Sequence, residues 1–183
     1  MNTDRHNIIF AGVGGMGALT SGQMLAQAAM KKYKNVTWYP NITTSRRNAP
    51  ADCLVCFSDK MIYSQLVKIV ETAVVMNNIQ LDTLIDRIKD GGLLIMEAED
   101  GKEDIAQRDI KTILVPGIKI ASEIGNPKVI NIIYLGVYIG VTNILPQELV
   151  KAELEQRFIA REDLLKVNLK AFDKGVQFGR DTY

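Results

Sequence analysis

Near the amino end, Gly12-Val13-Gly14-Gly15-Met16-Gly17 is the stretch of this chain whose residue types and spacing suit ligand chemistry. It follows the apolar run Ile8-Ile9-Phe10-Ala11 and precedes a helical pattern that begins near Ala18. A strand, a glycine turn and a helix bring bare backbone N–H groups to the positive end of a helix dipole, where phosphate binds. The glycines also satisfy Gly-x-Gly-x-x-Gly, the turn of dinucleotide-binding folds. Gly12, Gly14, Gly15, Met16 and Gly17 are therefore candidate anion-binding residues.

The charge pattern around the turn narrows the ligand. From Arg5 to Ala51 there is no Asp or Glu, whereas Arg5, Lys31, Lys32, Lys34, Arg46 and Arg47 are basic. An acid-free segment fits an anion. It argues against an NAD ribose, which takes a carboxylate about 20 residues beyond the turn. Arg46 and Arg47 could clamp a phosphate or a partner's carboxylate through their planar guanidinium groups. The same pair keeps open a stand-alone NAD(P)-dependent Rossmann oxidoreductase, in which an arginine replaces the ribose acid. A purely structural module, with the arginines on a neighbouring subunit, is the other alternative.

Other chemistries find little support. The two cysteines, Cys53 and Cys56, are too few for a zinc site or an iron–sulfur cluster. They lie in the strand-like Asp52-Cys53-Leu54-Val55-Cys56-Phe57, where positions i and i+3 face opposite ways, so a redox pair is not expected. The lone histidine, His6, assembles no nucleophile–base set, and no metal ligands group around it. Net charge is +1, so whole-protein electrostatics points to neither nucleic acid nor membrane. The apolar run Val129 to Leu145 falls short of the roughly 20 residues a membrane span needs and reads as a buried helix. The amino-terminal segment has no apolar signal core, so a cytoplasmic location is expected.

The elements that must position the turn follow from periodicity and punctuation. One domain over residues 1–183 is expected, with 47% hydrophobic and 23% charged residues. Strands are predicted at Asn7–Ala11, Val36–Tyr39 (stopped by Pro40), Asp52–Phe57, Thr72–Met76, Leu93–Met96 and Lys111–Val115. Helices are predicted at about Gly15–Lys32, Lys60–Ile69 and Leu81–Asp90, the last ended by Gly91-Gly92. The final third reads as helical: Ile118–Ile124 stopped by Gly125, a helix capped by Asn126-Pro127, Pro146–Phe158 and Asp163–Phe178. Strands alternating with helices make an α/β fold with a mostly parallel sheet, Rossmann-like, covered by helices on both faces. Ligands of such sheets bind beyond the carboxyl ends of the strands, where the glycine turn lies. Asn131 is a candidate polar contact at that crevice, and Gly136 and Gly140 form a helical Gly-x-x-x-Gly expected to serve core packing.

In this order the chain resembles the gamma subunit of the 2-oxoacid:ferredoxin oxidoreductases, the pyruvate/2-oxoglutarate ferredoxin oxidoreductase family. The resemblance covers nearly the whole chain. The family's Gly-x-Gly-Gly-Gln-Gly loop corresponds to Gly12-Val13-Gly14-Gly15-Met16-Gly17, with Met16 in place of glutamine. Its Pro-Ser-Tyr-Gly-x-Glu-x-Arg-Gly-Gly segment corresponds to Pro40 through Ala49. There Ile42, Thr43 and Ser45 replace the tyrosine, first glycine and glutamate, Asn48-Ala49 replaces the double glycine, and Arg47 is retained. Val115-Pro116, Ala121 to Gly125 and Asn131 to Gly136 match later family patterns.

The resemblance implies a chemically silent subunit of an enzyme that converts a 2-oxoacid to an acyl-CoA and reduces ferredoxin. Thiamine diphosphate and iron–sulfur clusters would sit in the alpha, beta and, where present, delta subunits. Coenzyme A is the anion the glycine turn, Arg46 and Arg47 would dock, since its diphosphate and 3′-phosphate suit a helix N-terminus flanked by arginines.

Overall fold

The computed structural model describes residues 5–42, 49–98 and 109–183. Arg46 and Arg47 lie outside the described residues. Six strands form one sheet: β1 Arg5–Val13, β2 Asn35–Ile42, β3 Pro50–Ser58, β4 Val70–Val75, β5 Ile88–Glu97 and β6 Ile110–Val115. Their spatial order is β2-β3-β1-β4-β5-β6. β3 pairs antiparallel with both β1 and β2, while β1, β4, β5 and β6 pair in parallel, so β3 alone opposes the rest. The helices are α1 Ala18–Ala29, α2 Leu81–Ile85, α3 Gly117–Ile124, α4 Ile130–Thr142, α5 Gln147–Arg157 and α6 Glu162–Thr182.

The central strands are apolar on both sides because both sides are covered. On β1, Ile8 and Phe10 enter the larger core under α1, α3, α4, α5 and α6, while Ile9 and Ala11 enter a smaller one on the opposite face. That second face is covered thinly. Among the described residues its one α-helix is α2, a little over one turn, which contributes Leu81 and Leu84. Cys53 and Cys56 follow the strand period into opposite cores, both buried and free. Burial pushes the Cys53 thiol up to about 12 and raises Cys56 as well, so neither is a ready nucleophile.

The structure departs from the sequence reading in three places, each for a local reason. Pro40 does not stop β2, because β2 is the sheet edge, where a missing N–H is tolerated. Residues 59–69 form no helix. The Ser64 hydroxyl closes a local turn with Leu66, and arginines satisfy the carbonyls. Arg5 donates to Ser64 O, and Arg87 to Val67 O and Lys68 O. Gly91-Gly92 is not a helix stop either. The helix ends at Ile85, and the glycines sit inside β5, where the pairing with β4 shifts register.

α4 and α6 pack by interlocked glycines. A Cβ built on Gly136 or Gly140 would lie 2.3 Å from Phe172 O or Val176 O. One built on Gly175 or Gly179 would lie 2.2 Å from Ile133 O or 2.6 Å from Val137 O. The Gly-x-x-x-Gly face thus turns inward, as the sequence suggested.

Candidate functional site

The glycine turn sits at the carboxyl end of β1 and feeds α1. Gly15 and Gly17 have φ of +99° and +83°, so the turn needs residues without a Cβ there. Gly17 is the N-cap of α1 but offers no side-chain cap, and the first helical turn carries no acid. Among the described residues, the first amides of α1 therefore have no intrahelical or side-chain acceptor.

Three contacts from distant parts of the chain brace the turn. Gln80, buried on the thin face, donates to Gly12 O at 2.9 Å and Ala51 O at 3.3 Å. Gly14 N–H donates to Ala49 O at 2.9 Å, and Met16 N–H to Val13 O at 3.0 Å. Asn131 Nδ2 donates to Gly17 O at 3.3 Å, and Asn131 O accepts from Ser21 Oγ at 2.9 Å. The amides of Gly14 and Met16 are thus spent on holding the loop.

A cleft of about 320 Å³ opens beside this start of α1. Of the residues singled out in the sequence, Gly15, Met16, Gly17 and Asn131 line it. Gly12 lies beneath, against Met16 and Met76, and Gly14 faces Ala49. Two cations missed in the sequence complete the lining: Lys128, just ahead of α4, and Arg157, in the last turn of α5. Arg157 Nη1 is held by Gln23 Oε1 of α1 at 3.3 Å. None of the described residues lining the cleft is acidic. One signal for Lys128 was legible. A lysine directly after the Asn126-Pro127 cap stands at the positive end of a helix, where the dipole disfavours it. Arg157 carried no such mark, since a basic residue is favoured in a helix's last turn.

His6 near the start of β1 packs against the Tyr33 and Phe57 rings, at centroid distances of 5.7 and 5.1 Å. Among the described residues no group of three or more His, Cys, Asp or Glu side chains could hold a metal. Among them, too, no helix is long and apolar enough to cross a membrane. The topology also displaces the dinucleotide geometry. In a Rossmann unit the strand after the first helix neighbours the first strand. Here β3 intervenes between β1 and β2, moving the end of β2 one strand further from the glycine turn.

Residues 7–178 match the sequence profile described as pyruvate ferredoxin/flavodoxin oxidoreductase. The chain is 32% identical to the pyruvate/ketoisovalerate oxidoreductases common subunit gamma of Thermococcus kodakarensis, over 93% of this chain and 97% of that one. It is 28% identical to ketoisovalerate oxidoreductase subunit VorA of Methanothermobacter thermautotrophicus, over 93% of this chain but 36% of the relative, so it spans about a third of that longer protein. Its fold superposes on 2-oxoglutarate:ferredoxin oxidoreductase from Magnetococcus marinus, solved with 2-oxoglutarate, coenzyme A and succinyl-CoA bound. There the TM-score is 0.91 at 22% identity, over 98% of this chain and 32% of that one. Nothing among these similarities supports a stand-alone nicotinamide enzyme.

Proposed function

The chain belongs to the pyruvate ferredoxin/flavodoxin oxidoreductase family, and from that premise we propose that it is the gamma subunit of a multi-subunit enzyme that oxidatively decarboxylates a 2-oxoacid to its acyl-CoA and reduces ferredoxin. Its part is to dock coenzyme A. Alpha, beta and, where present, delta subunits hold thiamine diphosphate and the iron–sulfur clusters. The cleft at the start of α1 carries this reading: an uncapped helix start and two cations, Lys128 and Arg157, with no acid among the described lining residues. Such a surface suits a diphosphate, which accepts hydrogen bonds from amides and charge-assisted bonds from the cations. Arg46 and Arg47 would add charge for the 3′-phosphate. Assembly with larger partners is supported by the exposed apolar side chains of Met61, Tyr63 and Leu66 over the thinly covered sheet face.

Charge reversal tests the docking role in the assembled enzyme. Lys128→Glu combined with Arg157→Glu should leave the complex intact by size-exclusion chromatography and raise KM for coenzyme A about tenfold or more. An intact complex with unchanged KM for coenzyme A would refute docking here. Failure to assemble would replace it with a subunit-contact role for this pair.

A further inference from the structure

Gln80 is a polar residue in a place built for apolar ones. It ends the short 3-10 turn Asn78–Gln80 that leads into α2, on the thinly covered face of the sheet. Leu81 and Leu84, which follow it, belong to the small core of that face, and Gln80 is itself buried. A buried carboxamide costs stability unless it is hydrogen-bonded, and a leucine or methionine would fill the space without that cost. The two hydrogens on the amide nitrogen account for the choice. Nε2 donates to Gly12 O at 2.9 Å and to Ala51 O at 3.3 Å. Gly12 and Ala51 stand opposite one another in the β1–β3 pairing, so one nitrogen spans both strands at the last rung but one before the glycine turn. The backbone that carries the amide is fixed in its turn. Asn77 Oδ1 accepts from Ile79 N–H at 3.1 Å, and Thr83 Oγ1 donates to Gln80 O at 3.0 Å.

From this rung two short connections reach the cleft at the start of α1. Gly12 is backed by Met16, whose Cβ and sulfur lie 3.6 Å from where a Cβ on Gly12 would stand. Met16 lines the cleft between Gly15 and Gly17. On the other strand, Ala49, two residues before Ala51, accepts from Gly14 N–H at 2.9 Å. Arg46 and Arg47 come only a few residues earlier in the chain. Gln80 is not among the residues that line the cleft, so its influence there passes through Gly12 and Ala51.

We propose that Gln80 is a positioning residue for coenzyme A docking. From the opposite face of the sheet it holds the glycine turn in register with the start of β3, and so sets the shape of the surface that meets the diphosphate. The proposal rests on the docking role inferred above.

Gln80→Met keeps the bulk and removes both bonds. In the assembled enzyme it should raise KM for coenzyme A about fivefold while kcat and KM for the 2-oxoacid stay unchanged. In the full chain, hydrogen exchange read by NMR should quicken about fivefold at the Gly14 and Met16 amides relative to those of α6. Gln80→Leu removes the same bonds and serves should Gln80→Met not fold. Leu84→Ala loosens the same small core but makes neither bond, so it should lower Tm and leave both readouts in place. Unchanged exchange at Gly14 and Met16, an unchanged KM for coenzyme A, or the same changes in Leu84→Ala would overturn the proposal. Lys128→Glu with Arg157→Glu, measured alongside, separates the two inferences. Where that pair raises KM and Gln80→Met does not, only the role of Gln80 falls. Where the pair assembles and leaves KM unchanged, docking fails and the role of Gln80 falls with it.

Discussion

Glycine has opposite uses at the glycine turn and along the α4–α6 contact. Around Gly15 there is nothing within 4 Å of where a Cβ would stand, and the residue is there for its φ of +99°. At Gly175 the same missing atom would sit 2.2 Å from the backbone oxygen of Ile133. One glycine supplies a backbone conformation and leaves space in front of it. The other supplies space and lets two helices touch backbone to backbone. Gly17 shares both uses, with φ +83° and Asn131 side-chain atoms 2.8 Å from its notional Cβ. A functional reading of a glycine thus depends on which of these it supplies.

Substitutions can break or sharpen the contrast. Gly175→Ala should be the most damaging, because neither helix backbone can yield. A loss of about 3 kcal/mol is expected, read as a Tm lowered by roughly 6–12 °C. An unchanged Tm would mean that α4 and α6 are less tightly locked than described. Gly17→Ala should cost about 2 kcal/mol, part backbone strain and part collision with Asn131. Placed in an Asn131→Ala background, the same change should retain only the strain. A double-mutant cycle by urea denaturation should show coupling of about 1 kcal/mol, and a coupling of zero would separate the turn from α4.

Gly22 is a third case, with its notional Cβ 2.3 Å from the Cys53 sulfur. That close cover keeps the thiol dry. The unfolded chain releases this proton from about pH 8.5, whereas the folded chain holds it up to about 12. Across that window the unfolded state binds fewer protons, so stability falls as pH rises. From about pH 8 to about pH 10 the native chain should lose about 2 kcal/mol more than Cys53→Ala does. Parallel losses in the two proteins would show that the thiol is not shielded. The smallest effect belongs to Gly15→Ala, about 1 kcal/mol of strain with no packing loss. A loss as large as that of Gly175→Ala would abolish the distinction.

Local sequence made the turn legible and the surrounding sheet only partly so. Ile8 to Gly17 announces strand, turn and helix through residues adjacent in the chain. Asn126-Pro127 caps its helix start, with the Asn126 side chain accepting from Lys128 N–H, and Gly125 ends α3 with φ +85°. The reversal of β3 was not legible, because Cys53 to Phe57 would be equally apolar in a parallel strand. Residues 59–69 have helix-compatible spacing, and arginines 5 and 87, far away in sequence, decide otherwise. At the cleft, Asn131 was legible as a polar residue near the start of an apolar helix. Arg157 was not, since only the packing of α5 on α1 brings it beside the turn.

α4 runs from one cleft to another. Val129 and Asn131 at its beginning border the glycine-turn cleft, and Tyr138, Val141 and Thr142 at its far end border a second one beside the amino ends of β4, β5 and β6. Between them runs a rod about 20 Å long. Four backbone oxygens notched into glycines stop this rod from sliding along α6, since any axial step would drive a Cα hydrogen into a carbonyl.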